Sequence, residues 1–451
     1  MTQSPPQARL PAEPRLAEFA LADQTWPDLD VNRRVPALLL KVGQYPIHSG
    51  GLGVIRTLGR LGIPVYAITE PGLTPAGASR YCTEAFAWRA TGHEEPEELI
   101  ADLRAAGDRI GRPAVVVPVD DESAVLVAEH RAELAEHFLA PRVPAGLPRK
   151  LASKPGLFEL CVEHGFPAPA SAGPRSMADV AAFATTATFP IVVKNAEVWE
   201  RRQRPVVPGT TVISSKGELL ELIGSAAVQG PTGDRFPGVL LQEYLPPEQS
   251  EDWIVHLYCD ASSECRVIFT GLKTRSWPPK AGVTACAYSI GNPDLAALAA
   301  QLCASIGFVG VADLDVRLDL RDGQYKLVDF NPRAGNQFRL FESAAGVDVV
   351  RALHLDLTGR HIPAAPQVEA RRIIVEHADL PARFAYRRLA RRSGEDLEPR
   401  PVHTSTEYAW LATDDPFPLV VMIRHAAGAA VRQVRRQLTR RLPGLLPRRP
   451  A

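Results

Sequence analysis

Three side chains whose oxygen atoms could bind a metal ion lie near the end of a predicted β-hairpin. They are the most informative group in the chain. The segment 323–331 begins at an Asp-Gly turn, and the apolar run 311–316 precedes this turn. The pattern predicts that the two segments are strands paired with each other. Such a pair aims Asp315, Asp329 and Asn331 at one place. Oxygen ligands of this kind suit Mg²⁺ or Mn²⁺ bridging the phosphates of a nucleotide, whereas strand-end carboxylates in general are often only solvated.

Basic side chains recur beside and before this hairpin. Arg333 follows Asn331-Pro332 and offers a rigid fork for a phosphate or a carboxylate. Lys194 is the last residue of the buried run 189–194. Its side chain either points inward to bind a phosphate or extends to solvent from the end of the strand. Three cations, Lys273, Arg275 and Lys280, lie within eight residues around a pair of stiffening prolines. These cations favour a ligand that carries several negative charges.

The elements that must position these side chains divide into two kinds. Between residues 35 and 119, strand-like apolar runs alternate with a helical pattern, which predicts a parallel sheet with both faces covered. After a proline-rich break at 141–148 the pattern becomes that of an α+β region with an antiparallel sheet. We therefore predict four segments: a loosely ordered lead-in at 1–34, a Rossmann-like domain at 35–145, a two-lobed domain at 150–360 and a basic, partly helical segment at 361–451.

These motifs, in this order, resemble the ATP-grasp superfamily over roughly residues 36–360, and in particular its carboxylate–amine ligases. The resemblance implies an α/β pre-ATP-grasp domain followed by α+β ATP-grasp lobes. It implies an ATP-dependent ligase that joins a small-molecule carboxylate to an amine through an acyl phosphate, giving ADP and phosphate. The implied cofactors are ATP and Mg²⁺ or Mn²⁺.

The resemblance also assigns roles to individual residues. Two lysines would hold the nucleotide phosphates, one segment would contact adenine, and one carboxylate would bind the ribose. Three oxygen ligands would hold the metal, and three cations would act on the transferred phosphoryl group. The lysines for the phosphates are Lys154 and Lys194, the adenine segment is Gln242, Glu243, Tyr244 and Leu245, and the carboxylate for the ribose is Asp252. The metal ligands are Asp315, Asp329 and Asn331, and the three cations are Arg333, Lys273 and Arg275.

Two departures from the family pattern keep other functions open. Asp329 stands where the family usually has Glu, and a shorter side chain bridges two ions less well. The segment that is a glycine-rich flap in many relatives here carries Arg201, Arg202 and Arg204. The alternatives are an ATP-grasp phosphotransferase that stops at phosphorylation and a catalytically decayed nucleotide-binding regulator.

Glycines near the N-terminus do not indicate a dinucleotide site. Gly50, Gly51 and Gly53 lack the Gly-x-Gly-x-x-Gly spacing, and only Glu70 stands near where a ribose contact is needed. We interpret them as a tight structural turn or as part of the floor of the acceptor-substrate site.

Composition bears on the class of partner and on the cellular compartment. Lys and Arg together number 51, as do Asp and Glu, so net charge gives no reason to expect nucleic acid. The six cysteines are scattered without a Cys-x-x-Cys pair, which predicts reduced thiols in a cytoplasmic protein. Neither a signal-peptide pattern nor an apolar run long enough for a spanning helix is visible. A homodimer is compatible with the sequence.

The C-terminal segment is strongly basic. From residue 416 onward there are eight arginines and no acidic residue. Ala427, Val431, Val434 and Leu438 form one stripe at helical spacing among these arginines. Such a stripe packs on its own domain in most proteins, which is the interpretation we favour, and contact with anionic lipid is the alternative.

Overall fold

The computed structural model describes residues 27–88, 94–196, 205–207, 209–228, 236, 238–280, 282–393 and 401–441. Arg201, Arg202 and Arg204, with the flap that they were expected to form, lie outside these residues. Of the lead-in predicted at 1–34, the described part is not loosely ordered, because Leu29 and Val31 are each only 6% exposed and belong to the hydrophobic core. Within the described ranges, no helix has the length and apolarity to span a membrane.

The first sheet is parallel, as the alternating pattern predicted, with strand order β3-β2-β1-β4-β5. Its central strands are apolar along their whole length because helices cover both faces. The strands are β1 Ala37–Leu40, β2 Val65–Thr69, β3 Cys82–Ala87, β4 Ala114–Pro118 and β5 Phe138–Leu139. The helices between them are α1 Ser49–Gly59, α2 Pro96–Ile110, α3 Asp121–Glu129 and α4 Arg131–Leu134.

The prediction of a turn at Gly50, Gly51 and Gly53 is wrong, because all three lie inside helix α1. A Cβ on Gly53 would stand 2.9 Å from the Phe338 ring, so glycine is what allows the helix to approach the segment after the hairpin. Glu70 pairs with Lys41 at 2.5 Å instead of standing free for a ribose.

The second sheet has seven strands in the order β14-β13-β10-β11-β12-β15-β16, and the third has four in the order β6-β9-β7-β8. The strands of the second sheet are β10 Ser250–Cys259, β11 Cys265–Trp277, β12 Val283–Ser289, β13 Gly310–Asp319, β14 Gln324–Asn331, β15 Arg371–Ile374 and β16 Ser405–Tyr408. The strands of the third sheet are β6 Ser171–Ala172, β7 Ile191–Asn195, β8 Thr211–Ile213 and β9 Val239–Glu243.

Helices flank these two sheets, and their N-termini are capped by side chains in the expected way. Ser153, Asn292 and Asp348 each accept a hydrogen bond from a backbone N–H in the first helical turn that follows. The helices are α5 Leu147–Ala152, α6 Lys154–Glu163, α7 Met177–Thr186, α8 Lys216–Val228, α9 Pro293–Ser305, α10 Val349–Leu357, α11 Glu376–Ser393 and α12 Phe417–Arg441.

The C-terminal segment contacts the rest of the molecule both through strand pairing and through buried ion pairs. Its strands β15 and β16 extend the sheet that carries the predicted metal hairpin. The carboxylate of Asp415 accepts hydrogen bonds from the side chains of Arg56, at 2.9 Å, and Ser79, at 2.7 Å. All three of these side chains are buried. The segment therefore contacts the region of the parallel sheet through buried charge.

Helix α12 faces its neighbours with one side only. Val421 and Met422 are buried, whereas Val420 and Ile423 are exposed. Ala427, the first residue of the predicted stripe, is also exposed, so at this position the stripe does not pack on its own domain. Val431, Val434 and Leu438 come after the last side chain that the structure describes in this helix.

Candidate active site

The predicted oxygen ligands lie on one face of the β13–β14 hairpin. In the antiparallel register Asp315 stands directly opposite Asp329, and Asp313 stands opposite Asn331. Directly opposite residues share a face, and so do residues two apart along a strand, so all four side chains point to the same side. Asp313 was missed from the sequence, although its spacing of two residues from Asp315 is the signal that could have found it.

Two of the predicted lysines contact these carboxylates. Lys154, at the first position of helix α6, contacts Asp329, and the Lys273 ammonium lies 2.7 Å from an oxygen of Asp315. Although burial opposes charge, the nearby Lys154 ammonium lowers the pKa of the Asp329 carboxyl below its usual range. The cations and carboxylates thus alternate across one cleft.

Lys194 belongs to the same charged group. It leaves strand β7 and donates a hydrogen bond to Oε1 of Gln242 at 2.8 Å. Burial, and then the nearby charge of Lys154, lower the pKa of Lys194 to about 8. A lysine so disposed gains strongly from an incoming phosphate, because a phosphate restores the stability of its charged form.

The segment predicted to contact adenine is held in place by ion pairs. Glu243 pairs with Arg321 at 2.6 Å, and the carbonyl oxygen of Leu245 accepts from Arg317 at 3.2 Å. The same Arg317 pairs with Asp252 at 2.6 Å. One arginine therefore connects the segment predicted to contact adenine with the carboxylate predicted to bind the ribose. Tyr244, between Glu243 and Leu245, is half-buried.

Arg333 joins the hairpin to the parallel sheet. Its guanidinium lies 3.1 Å from Asp121, at the start of α3, and 3.4 Å from Asp313. It also donates to the side-chain oxygen of Asn331 at 3.0 Å. Burial opposes its charge, but the carboxylates of Asp121 and Asp313 raise the pKa of Arg333, so it stays a cation. The site therefore lies between two sheets.

Asp313 and His256 form a buried pair that sequence reasoning did not find. His256 stands opposite Asp313 on strand β10, and its Nε2 lies 3.2 Å from the carboxylate. Burial and then Asp315 raise the pKa of Asp313 to about 7, while burial and then the charge of Arg333 lower the pKa of His256 to about 3, which keeps it neutral. Gly335 passes so close to both that any side chain there would collide with the Asp313 carboxylate.

A second group of polar side chains follows strands β1 and β4. Strand β1 lies between β2 and β4, and the chain continues from β1 to β2 on one side before it returns to form β4 on the other side. A crevice therefore opens between the carboxyl ends of β1 and β4. Such switch points are where open α/β sheets bind ligands. Lys41 and Asp120 stand there, and Asp120 accepts from the Tyr45 hydroxyl at 2.9 Å and from the Gly43 amide at 2.7 Å. Arg333 reaches this crevice through Asp121.

One predicted catalytic residue is not in the cleft. Arg275 turns to helix α11, where it pairs with the buried Asp379 at 2.6 Å. The strand is irregular on both sides of Arg275, which breaks the simple alternation that would have placed Arg275 and Lys273 on one face. Its prediction as a catalytic residue is therefore wrong, and its role is to hold α11 on the sheet.

The donor set of the hairpin fits a hard divalent cation. The carboxylates of Asp315 and Asp329 and the amide oxygen of Asn331 supply the ligand type that Mg²⁺ or Mn²⁺ prefers, with Asp313 beside them. Lys154 and Lys273 balance these charges within the protein. If a metal–nucleotide complex bound here, its phosphates would pair with the lysines and its metal with the carboxylates, and the charges would stay balanced.

Comparison with known proteins gives a consistent picture. No protein-family model matches the chain. A D-aspartate ligase of Enterococcus faecium is 23% identical over 275 residues, which are 57% of this chain and 62% of that ligase, so the match spans less than two thirds of the relative.

The solved structures that share the fold include an amino acid ligase and a biotin carboxylase domain. An L-amino acid ligase from Bacillus licheniformis is 16% identical, with a TM-score of 0.52 over 72% of this chain and 74% of that one. The biotin carboxylase domain of the Hydrogenobacter thermophilus 2-oxoglutarate carboxylase, in complex with MgADP and bicarbonate, is 14% identical, with a TM-score of 0.53 over 73% and 71% of the chains. These likenesses confirm the fold that the motifs predicted.

Proposed function

Because the chain has the ATP-grasp fold, we propose that it is an ATP-dependent ligase that joins a small-molecule carboxylate to an amine. The observation that carries the proposal is the single cleft in which Asp315, Asp329 and Asn331 face Lys154 and Lys273, with Arg333 leading to a second crevice. The first group suits a metal-bound triphosphate and the second suits an organic acid.

The nucleotide would lie between the third sheet and the hairpin. Lys154 and Lys194 would hold its phosphates, and residues 242–245 would contact adenine, with the Gln242 side chain orienting Lys194. Asp252 would bind the ribose hydroxyls from its place beside Arg317. A Mg²⁺ or Mn²⁺ ion on Asp315, Asp329 and Asn331 would neutralise charge on the phosphates.

The carboxylate substrate would lie near Arg333 and Lys273. One carboxylate oxygen attacks the γ-phosphorus, the bond to the bridging oxygen of ADP breaks, and an acyl phosphate forms. Arg333 and Lys273 stabilise the charge that develops on the transferred group. The amine nitrogen then attacks the acyl carbon, phosphate leaves, and the nitrogen loses a proton. The protein supplies position and charge throughout, and no nucleophilic side chain is needed.

The crevice beside β1 and β4 is where we place the second substrate. Its groups, Lys41, Tyr45, Asp120 and Asp121, include both signs of charge, and Asp121 contacts Arg333. A substrate with both an ammonium and a carboxylate group matches this arrangement. The similarity to a D-aspartate ligase and an L-amino acid ligase supports an amino acid as one substrate.

The test is ADP release with pools of amino acids and small carboxylates, in the presence of Mg²⁺. Release that requires two pool members, with ADP and phosphate as products, is the expected result. Hydroxylamine with the right carboxylate should trap the acyl phosphate as a hydroxamate. Formation of AMP and pyrophosphate would overturn the proposal, and a stable phosphorylated product with no amine adduct would replace it with a phosphotransferase.

A further inference from the structure

Three cysteines, two from one hairpin and the third from a helix further along the chain, come together in the fold. Cys259 ends strand β10, Cys265 begins strand β11, and Cys303 lies near the end of helix α9. Their sulfur atoms all lie within 4.8 Å of one another, and those of Cys259 and Cys265 are 3.0 Å apart. The spacing of six and 38 residues matches no common metal motif, which is why the sequence showed only scattered thiols.

The fold holds these thiols from two directions. Cys259 and Cys265 are register partners across the tight turn at 260–264. Helix α9 packs on the same face of the sheet through a shared apolar core, which brings Cys303 over the strand pair. Cys259 and Cys303 are fully buried, and Cys265 is half-buried, so the group opens to solvent on one side only.

This group is separate from the proposed active site. Val255, Leu257 and Cys259 belong to the apolar core on one face of strand β10. His256, the partner of Asp313, points to the opposite face because side chains alternate along a strand. The thiols and the metal-binding carboxylates thus lie on opposite sides of the same sheet.

We propose that Cys259, Cys265 and Cys303 form a binding site for one thiophilic divalent cation of the Zn²⁺ class. Thiolate sulfur is the preferred ligand of such ions, and three protein ligands with a fourth position open to water is a common zinc arrangement. Zn–S bonds of about 2.3 Å place sulfurs about 3.8 Å apart in a tetrahedral site, so the observed spacing needs only small shifts.

The chemistry of the site is an exchange of protons for a cation. Each thiol releases its proton to solvent as its sulfur bonds to the ion, and no electron is transferred. Because Cys259 and Cys303 are fully buried, a thiolate charge on either is costly in the absence of a cation. A divalent ion compensates this cost, and the open side at Cys265 allows water to screen the remaining charge. The bound ion would fasten helix α9 to the β10–β11 hairpin.

The experiment is a titration of the full-length, reduced and chelator-treated protein with Cd²⁺, followed by competition with Zn²⁺. We expect thiolate-to-cadmium ultraviolet absorption that saturates at one equivalent and is displaced by Zn²⁺. Cys303→Ser should weaken binding by at least about 100-fold, since loss of groups that only orient a metal ligand already costs 10–100-fold. Cys161→Ser is the matched control, because Cys161 lies in the same apolar core but outside the thiol group, and it should bind as the wild type does.

A second measurement does not depend on any variant folding. Zn²⁺ at saturation should slow alkylation of Cys265 in the wild-type protein, as followed by mass spectrometry, and should leave alkylation of the half-buried Cys82 unchanged. Absence of cadmium absorption in the reduced protein would overturn the proposal. Recovery of a Cys259–Cys265 disulfide from protein prepared without reductant, together with no metal binding after reduction, would overturn it in favour of a redox pair.

Discussion

Replacement of Asp329 by Asn tests the proposed metal site most directly. The change keeps the shape of the side chain and removes one negative charge from the pair that Asp329 forms with Asp315 across the hairpin. The attraction between one carboxylate charge and a unit positive charge about 4 Å away amounts to about 4 kcal/mol at an effective dielectric constant of about 20. The Asp329 side chain is 28% exposed, so solvent screens part of this energy.

The expected loss is therefore between about 100-fold and 1,000-fold in the rate of ADP release, the range found when one preorganised electrostatic group is removed. The Asn variant should also need more Mg²⁺ for half-maximal rate and for binding of a non-hydrolysable ATP analogue, which calorimetry measures without knowledge of the other substrates. Asp329→Glu keeps the charge and restores the residue that is usual in ATP-grasp enzymes. It should stay within about tenfold of the wild type.

Asp322→Asn is the matched control for this test. Asp322 lies in the turn of the same hairpin, is well exposed and pairs with Lys326, so its loss should leave both rate and Mg²⁺ dependence unchanged. Circular dichroism would establish that each variant is folded. An Asp329→Asn protein that is folded, releases ADP at the wild-type rate and keeps the wild-type Mg²⁺ dependence would refute the metal-site assignment.

Further predictions concern binding, stability and the C-terminal helix. Lys194 has a pKa of about 8 in the free protein, and a bound phosphate should raise this pKa, so ATP binding between pH 8 and 9 should take up a proton and should weaken as pH rises. Calorimetry in buffers of different ionisation enthalpy should show this proton uptake. Persistence of the uptake in Lys194→Met would contradict the assignment. Asp415→Ala should lower the free energy of unfolding by about 3 kcal/mol in urea denaturation, because the change leaves the buried Arg56 without its carboxylate partner. Glu129→Ala, which breaks an exposed ion pair with Arg149, should lower it by less than about 1 kcal/mol. Equal losses in the two variants would refute this reasoning. Deletion of 425–451 should leave most of the ADP release intact, since every predicted site residue precedes residue 334, and complete loss in a folded truncation would show that α12 completes the site. Sedimentation with anionic vesicles checks the lipid alternative for the C-terminal stripe, and vesicle binding that is lost on deletion of 425–451 would support that alternative.

The local parts of the site could be predicted from sequence. The hairpin that carries Asp315, Asp329 and Asn331 is built from adjacent strands, and its turn and alternation set the register over a few residues. Lys154 follows a serine cap at the start of its helix, and Lys194 ends its strand, so their positions also depend on short-range rules. Order along the chain then sufficed to identify the ATP-grasp fold.

Contacts between distant segments required the tertiary structure. Arg333 meets Asp121 across 212 positions of sequence, and Arg275 meets Asp379 across 104. An irregularity in strand β11, which no sequence pattern marks, decides that Arg275 leaves the cleft while Lys273 stays. The thiol of Cys303 meets those of Cys259 and Cys265 only because helix α9 packs on the strand pair. Sequence determines which groups a strand or helix can present; packing of whole elements determines which groups meet, because it depends on the sum of many contacts rather than on any one pattern.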